Sequence, residues 1–374
     1  MSEPLRVLQV LTNLNRGGME TMTMNFYRHM DRSRVQFDFL LHREEEGDYE
    51  AEARSLGARI YRVPRQNPLS PSYWRALKRF FERHPCRVVH AQLDCMSALP
   101  LSAAKREGVP VRIAHSHSSR QDRDIKYPLK MVCKRGIKRV ATDLFACGEE
   151  AGRWMFGTDD FRVVRNAIDV DAYAYDPTRR GRVRAELGIS ADSPVIGHVG
   201  RFDPVKNQAF LADAFAALLS KRLNAKLLLI GDGQTRPGVE AHAASLGIQN
   251  GTRFLGLRGD VPDLMQAMDA FCMPSLYEGL PLVLVEAQAA GLPCLISDVI
   301  PSDCDLEGGN ISRISLGCGT EAWANELDGL LGVSHDRSRG AAVVCAAGFD
   351  VAVEAARLQE FYLTGTWPER GGLQ

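Results

Sequence analysis

The feature that most constrains this chain is a rhythm of short, continuously apolar runs separated by longer stretches of helical character. "RVLQVLT" (6–12), "FDFLL" (37–41), "RVVHA" (87–91), "VRIAHS" (111–116) and "DLFAC" (143–147) form one series. "VIGHVGR" (195–201), "AKLLLIG" (225–231), "TRFLG" (252–256), "AFCMP" (270–274) and "PCLIS" (293–297) form a second. A strand that is apolar at consecutive positions is buried on both faces, as in a parallel sheet. Alternation with helices predicts an α/β chain whose sheets are covered on both sides. At 374 residues the chain exceeds one ordinary core, so two doubly wound, Rossmann-like domains are expected. The first spans 1–165 and the second 166–345, and residues 346–374 form a C-terminal helix packing back toward the first. The join falls at "NAIDVDAYAYDPTRRGR" (166–182), where turn formers and charges replace the apolar pattern. Ligands of such sheets bind at the carboxyl ends of strands, at the topological switch point. Two facing domains would put that site in the cleft between them.

The formal net charge of zero conceals an asymmetry. Residues 1–165 carry 29 Lys and Arg against 20 Asp and Glu, and the remainder carries 17 against 26. The basic half implies an anionic partner. Nine cysteines without a C-x-x-C or a His/Cys cluster read as small core residues in a reducing compartment, with no metal site. No apolar run reaches 18 residues, and the start "MSEPLRVLQVLTNL" lacks a basic segment followed by a long apolar one. The chain is therefore expected to be cytoplasmic, without a spanning helix or a signal peptide.

Several motifs fall at strand ends. "NLNRGGMET" (13–21) follows the first strand, and Gly17 and Gly18 would let backbone amides approach a ligand at a helix entrance. An ordinary strand-to-helix turn explains them equally well. "AHSHSS" (114–119) ends a strand, with His115 and His117 on one face. A catalytic or substrate-contacting histidine accounts for the pair better than a metal, and a structural role for one of them remains open. "VGRFDPVKNQAFL" (199–211) puts Arg201 and Lys206 on a strand-end loop, where two cations suit a diphosphate; a solvated loop is the plain alternative. "LIGDG" (229–233) is a weaker glycine turn.

"SLYEGLPLVLVEAQAAGLPCLISD" (275–298) carries two glutamates, Glu278 and Glu286, in an otherwise apolar segment. A carboxylate there costs several kcal/mol unless something polar meets it. Glu278 falls in the loop before a helix that Pro281 opens and Gly291 and Pro293 close. The hydrolytic dyad of a retaining glycosidase needs carboxyls roughly 5–5.5 Å apart, whereas eight helical residues rise about 12 Å. The pair reads as two separate grips on one elongated polar ligand, with loop amides and the helix dipole between them for phosphate.

Taken together these segments resemble the family 4 retaining glycosyltransferases of GT-B fold, of the bacterial exopolysaccharide and capsule type. The family's E-x7-E motif stands here as "EGLPLVLVE", and "RGGMET", "VVHAQ", "RIAHSHSS", "FACGEEAGRWMFG", "VVRNAID", "GRFDPVKN" and "FLGLRGDVPDLM" follow in order. The resemblance implies that the first domain serves the acceptor and the second binds a nucleotide-sugar donor, with a UDP-sugar favoured. It implies that Glu286 holds the ribose hydroxyls and that Glu278 lies at the donor sugar. Amides of Gly279, Leu280 and Leu282 would lie near sugar and phosphate. Arg201 and Lys206 would bind the diphosphate, Leu257 and Arg258 would flank the base, and Gly17 and Gly18 would approach the phosphates. His115 or His117 would sit beside the reacting sugar. No D-x-D motif stands where it would meet the diphosphate, so fixed cations and amides would replace a metal, and no cofactor is needed. Two rivals share the donor site: a nucleotide-sugar epimerase, which needs its own acid/base carboxylates, and a non-catalytic binding subunit.

Residues 120–139, "RQDRDIKYPLKMVCKRGIKR", add a basic stretch in which Lys126, Lys130, Lys134 and Lys138 recur every four residues. A solvated helix face is the plain reading. The sharper one is an anionic membrane surface at which a lipid-diphosphate-linked saccharide is extended. No nucleic-acid recognition module accompanies it.

Overall fold

The computed structural model describes residues 3–118 and 127–368 and divides into two units, Met1–Ala167 with Asp350–Gln374, and Ile168–Phe349. In the first unit seven strands, β1 (Leu5–Leu11), β2 (Val35–Leu41), β3 (Ile60–Arg62), β4 (Val88–Ala91), β5 (Val111–Ser116), β6 (Asp143–Ala146) and β7 (Arg162–Val163), form one sheet in the order β3-β2-β1-β4-β5-β6-β7. In the second, β8 (Val195–Val199), β9 (Lys226–Ile230), β10 (Thr252–Gly256), β11 (Ala270–Met273), β12 (Cys294–Ser297) and β13 (Ile311–Ile314) are ordered β10-β9-β8-β11-β12-β13. Every pairing is parallel, the doubly wound pattern expected from the apolar runs. The order reverses between β1 and β4, and between β8 and β11, so each unit has its own switch point.

Strand geometry sends alternate residues to opposite faces. In β1, Val7 and Leu11 join one core and Leu8 and Val10 the other. The Val7 face lies under the helices Gly18–His29 and Val351–Thr364; the latter contributes Val351, Ala355, Leu358, Phe361 and Tyr362. The Leu8 face lies under helices Pro71–Arg83, Ala98–Arg106 and Tyr127–Val140. The second unit is built likewise around two cores. Its boundary segments meet where Ile168 donates its amide to the Phe349 carbonyl at 2.9 Å.

The basic stretch needs a correction. Lys126, like Arg120 and Arg123, lies outside the described residues. Lys130 and Lys134 are half-buried, and Lys134 sits 4.1 Å over the Trp154 ring. A long side chain lays its stem along apolar surface, so the four-residue spacing marks a flank of the helix. Its exposed face presents Lys138 of that series together with Val132, Arg135 and Arg139.

Candidate functional site

In the second unit the two loops that leave the switch-point strands are tied together. After β8, Arg201 leads into a short turn at Pro204–Lys206, capped by the Asp203 carboxylate, which accepts from the Val205 and Lys206 amides. Asn207 adopts a left-handed conformation (φ 55°) and donates from its side chain to the Pro274 carbonyl at the end of β11. Asn tolerates that conformation better than most residues. The Leu276 amide donates to the Val205 carbonyl at 2.8 Å, and Lys206 Nζ reaches Glu278 Oε1 at 2.5 Å. Underneath, Gln208 donates to the Arg201 carbonyl. The "LIGDG" turn also packs here: Gly231 and Gly233 have φ of +130° and +153°, and a Cβ on either would collide with the carbonyl of Gly200 or Phe202. That turn shapes the cation-bearing loop, a role sequence left undefined.

Each expected residue of this unit can now be placed. Lys206 and Glu278 are mostly buried as a pair (side chains 19% and 11% exposed). The Arg201 side chain is 78% exposed and bonds only to Asp203 among the described residues. Gly279 is exposed, with open space where a side chain would stand. Leu280 and Leu282 are half-buried against the core. Leu257 follows β10 and is largely exposed, and Arg258 is held by both oxygens of Asp260. Pro281 is the N-cap and the helix runs Leu282–Ala289, so Glu286 is in its second turn and Glu278 is in extended loop. The seven residues between them are therefore not all helical, and the 12 Å rise does not apply. What separates the two carboxylates is their partners: Glu278 meets Lys206, and Glu286 meets the Tyr173 side chain. Burial pushes the Glu286 carboxyl up to about 7, with Tyr173 partly opposing the shift. Tyr173, from the short helix Val170–Tyr173, was not singled out from sequence; nothing local marks it.

In the first unit, Gly17 is the N-cap of helix Gly18–His29; the Glu20 carboxylate lies where a Cβ of Gly17 would be, and Gly18 faces open space. Burial raises the Glu20 carboxyl. His115 and His117 do share one face, with ring centroids 4.2 Å apart, but differ in access. His115 is 1% exposed, whereas His117 is half-buried. The His117 amide donates to Asp94 Oδ1 at 2.7 Å, and Ser118 Oγ to Oδ2 at 3.1 Å. Asp94 itself carries a strained φ of 47° and a carboxyl raised by burial. Burial also holds the His117 imidazole down at about 3, so it is neutral at pH 7. Among the described residues no group of His, Cys, Asp and Glu is arranged to hold a metal ion, and no helix is long and apolar enough to cross a membrane.

Comparisons with known proteins bear on the family and the fold. A family model described as "Glycosyl transferases group 1" matches residues 180–333, and one described as "Glycosyl transferase 4-like domain" matches 17–166. EpsF of Bacillus subtilis, named as a glycosyltransferase, is 41% identical over 339 residues, covering 87% of this chain and 88% of its own. An Escherichia coli enzyme, "UDP-Gal:alpha-D-GlcNAc-diphosphoundecaprenol alpha-1,3-galactosyltransferase", is 30% identical over 38% of each chain. The crystal structure of Anabaena HepE in complex with UDP superposes with a TM-score of 0.79 at 20% identity, over 97% of this chain and 100% of that one.

Proposed function

This chain belongs to the group 1 glycosyl transferases of GT-B fold, and on that premise we propose that it moves a sugar from a UDP-sugar to a saccharide or lipid-diphosphate-linked saccharide, with retention, in polysaccharide biosynthesis. The observation that carries the donor reading is the tied loop pair at the β8/β11 switch point, with Lys206 and Glu278 at its centre and Glu286 on the adjoining helix. Breaking the sugar–phosphate bond leaves negative charge on the diphosphate. Arg201, free to swing, and Lys206, released from Glu278 as phosphate arrives, supply the opposing charge in place of a metal. Glu286 accepts from the ribose hydroxyls, Gly279 and its neighbours turn amides toward the sugar, and Leu257 and Arg258 border the base. The names of the relatives support a UDP donor, an α linkage and a diphospholipid acceptor. Calorimetry with UDP-, GDP- and ADP-glucose tests the donor. UDP-glucose should bind tightest, and Glu286→Gln should weaken it; equal affinity in that variant would remove Glu286 from the site. Transfer should survive EDTA, and a loss restored by added metal would overturn the charge assignment. The anomer of the product reports retention.

Acceptor chemistry of this kind takes place at a membrane, and the first unit carries a matching surface. Helices Pro71–Arg83, Ala98–Arg106 and Tyr127–Val140 are neighbours in one layer and hold 11 Lys and Arg against the single acid Glu82. Exposed Leu69 and Val132 accompany them. Each basic residue near an anionic leaflet contributes about 1 kcal/mol. Vesicle co-sedimentation should rise with anionic lipid, fall with salt, and drop when Arg135, Lys138 and Arg139 become Glu. Equal recovery with neutral vesicles would leave a solvated face.

A further inference from the structure

Six side chains of the first unit close a hydrogen-bonded chain that the donor chemistry does not use. His115 Nδ1 lies 3.1 Å from His90 Nε2, and His90 Nδ1 lies 2.6 Å from the Tyr362 hydroxyl. That hydroxyl meets Gln9 Nε2 at 3.1 Å. Gln92 Nε2 reaches Gln9 Oε1 at 2.8 Å, and Gln92 Oε1 meets His117 Nε2 at 2.9 Å. Register assembles the set: Gln9 and His90 are direct partners across β1 and β4, and Tyr362 comes from the C-terminal helix. All but His117 are almost wholly buried.

Proton supply ties the directions of all five bonds to one another; with the two amides oriented as placed, they run one way. The Gln9 amide donates to the Tyr362 hydroxyl, whose single proton then goes to His90 Nδ1. A neutral imidazole that accepts at Nδ1 is protonated at Nε2, so His90 donates to His115 Nδ1, and His115 carries its own proton at Nε2. At the other end Gln92 Oε1 can only accept, so His117 is protonated at Nε2 and leaves Nδ1 as a bare lone pair. Reversing both amides reverses all five bonds and moves the His117 proton to Nδ1. A mixed arrangement either leaves the buried Tyr362 proton without an acceptor or leaves one of the two contacts to its hydroxyl without a proton. The two ends of the chain, His115 Nε2 and His117 Nδ1, are buried atoms without a partner among the described residues, on adjacent rings. His115 and Tyr362 also border a cavity of about 10 Å³, about the room one water needs.

We propose that Tyr362 is a positioning residue for the transfer reaction: its hydroxyl couples the tautomers of His115 and His117 and so sets which nitrogen of His117 carries the proton. The effect on turnover rests on the reading of His117 as a group beside the reacting sugar; the tautomer coupling does not. The test is NMR of the full chain with 15N-labelled histidine, together with kinetics. In the native protein His117 should show one protonated and one bare nitrogen. In Tyr362→Phe, which keeps the ring and loses the hydroxyl, its two nitrogen signals should move toward a common average and kcat/KM should fall about tenfold. Should that variant fail to fold, Gln9→Met cuts the chain on its other side and leaves every residue of the C-terminal helix in place. An unchanged single-tautomer His117 in either folded variant would overturn the coupling. A changed tautomer with unchanged turnover would overturn the positioning role while leaving the glycosyltransferase reading intact. A purely structural Tyr362 would lower the melting temperature alone.

Discussion

Glu286, on the proposed reading of the site, should make nucleotide binding pH-dependent. Its carboxyl is raised by burial to about 7, so the empty protein holds it largely protonated below that pH. Ionisation is what burial penalises: the stabilisation from the raised value is full below the unfolded value near 4.5 and is lost as pH rises through about 7. The loss amounts to about 3 kcal/mol at most. Ribose hydroxyls donating to the carboxylate would pull the value down, so nucleotide binding should release a proton and tighten as pH rises from 6 to 8. Calorimetry in buffers of different ionisation enthalpy measures that proton, and Glu286→Gln should abolish both effects; a flat profile in the native protein would contradict the assignment. The Lys206–Glu278 pair makes a second forecast at this scale. Lys206→Met leaves a mostly buried carboxylate uncompensated and should cost on the order of 1–3 kcal/mol, whereas adding Glu278→Gln should recover part of it in a urea-melt cycle. E-x7-E spacing made both glutamates legible. Tyr173, Gln92, Asn207 and Tyr362 were not, because each acquires meaning only from a partner remote in sequence, as Tyr362 does from His90.

Elements were legible where the sequence carries a continuous apolar run. The ten apolar runs are all strands, with β5 and β10 matching to the residue. The strands that escaped are β3, β7 and β13, each at a sheet edge. "IYR" is only partly buried, "RV" is two residues long, and all four residues of "ISRI" are half-buried. A strand paired on one side and covered incompletely needs no continuous apolar run, although the edge strand β10, also only partly buried, keeps adjacent Phe254 and Leu255 and is legible. Between strands, the glycine turn after β9 supports the cation loop through backbone contact. Gly233→Ala would place a Cβ against the Phe202 carbonyl at a φ that side chains rarely adopt. It should destabilise the second unit by about 2 kcal/mol and weaken UDP-sugar binding, read by denaturant midpoint and calorimetry. Unaltered values would show that the turn only spans a gap.

At the scale of the whole chain, the first unit is discontinuous: it is begun by residues up to Ala167 and completed by those from Asp350. The returning helix puts Val351, Ala355, Leu358, Phe361 and Tyr362 into its core, each no more than 4% exposed. Deleting the chain from Asp350 onward should therefore unfold the first unit and spare the second. One of two thermal transitions should vanish, and UDP binding by residues 168–349 should persist, though weakened; retention of both transitions would show that the helix is dispensable. Sequence places the join at 166–182 and predicts that the C-terminal helix packs back toward the first domain; which of its side chains enter that core could be read only from the packing. That connectivity also reverses the order in which the protein can be made. Chains usually fold from the N-terminal domain onward as the ribosome extends them at about 5–20 residues per second. Here the first-born sheet lacks one cover until the last helix leaves the ribosome, roughly 10–40 s after Ala167 is added, whereas the second unit has everything it needs earlier. The later half should finish first, and the nascent earlier half, whose Val7 face has helix Gly18–His29 but not yet the C-terminal helix over it, is where chaperones should be found.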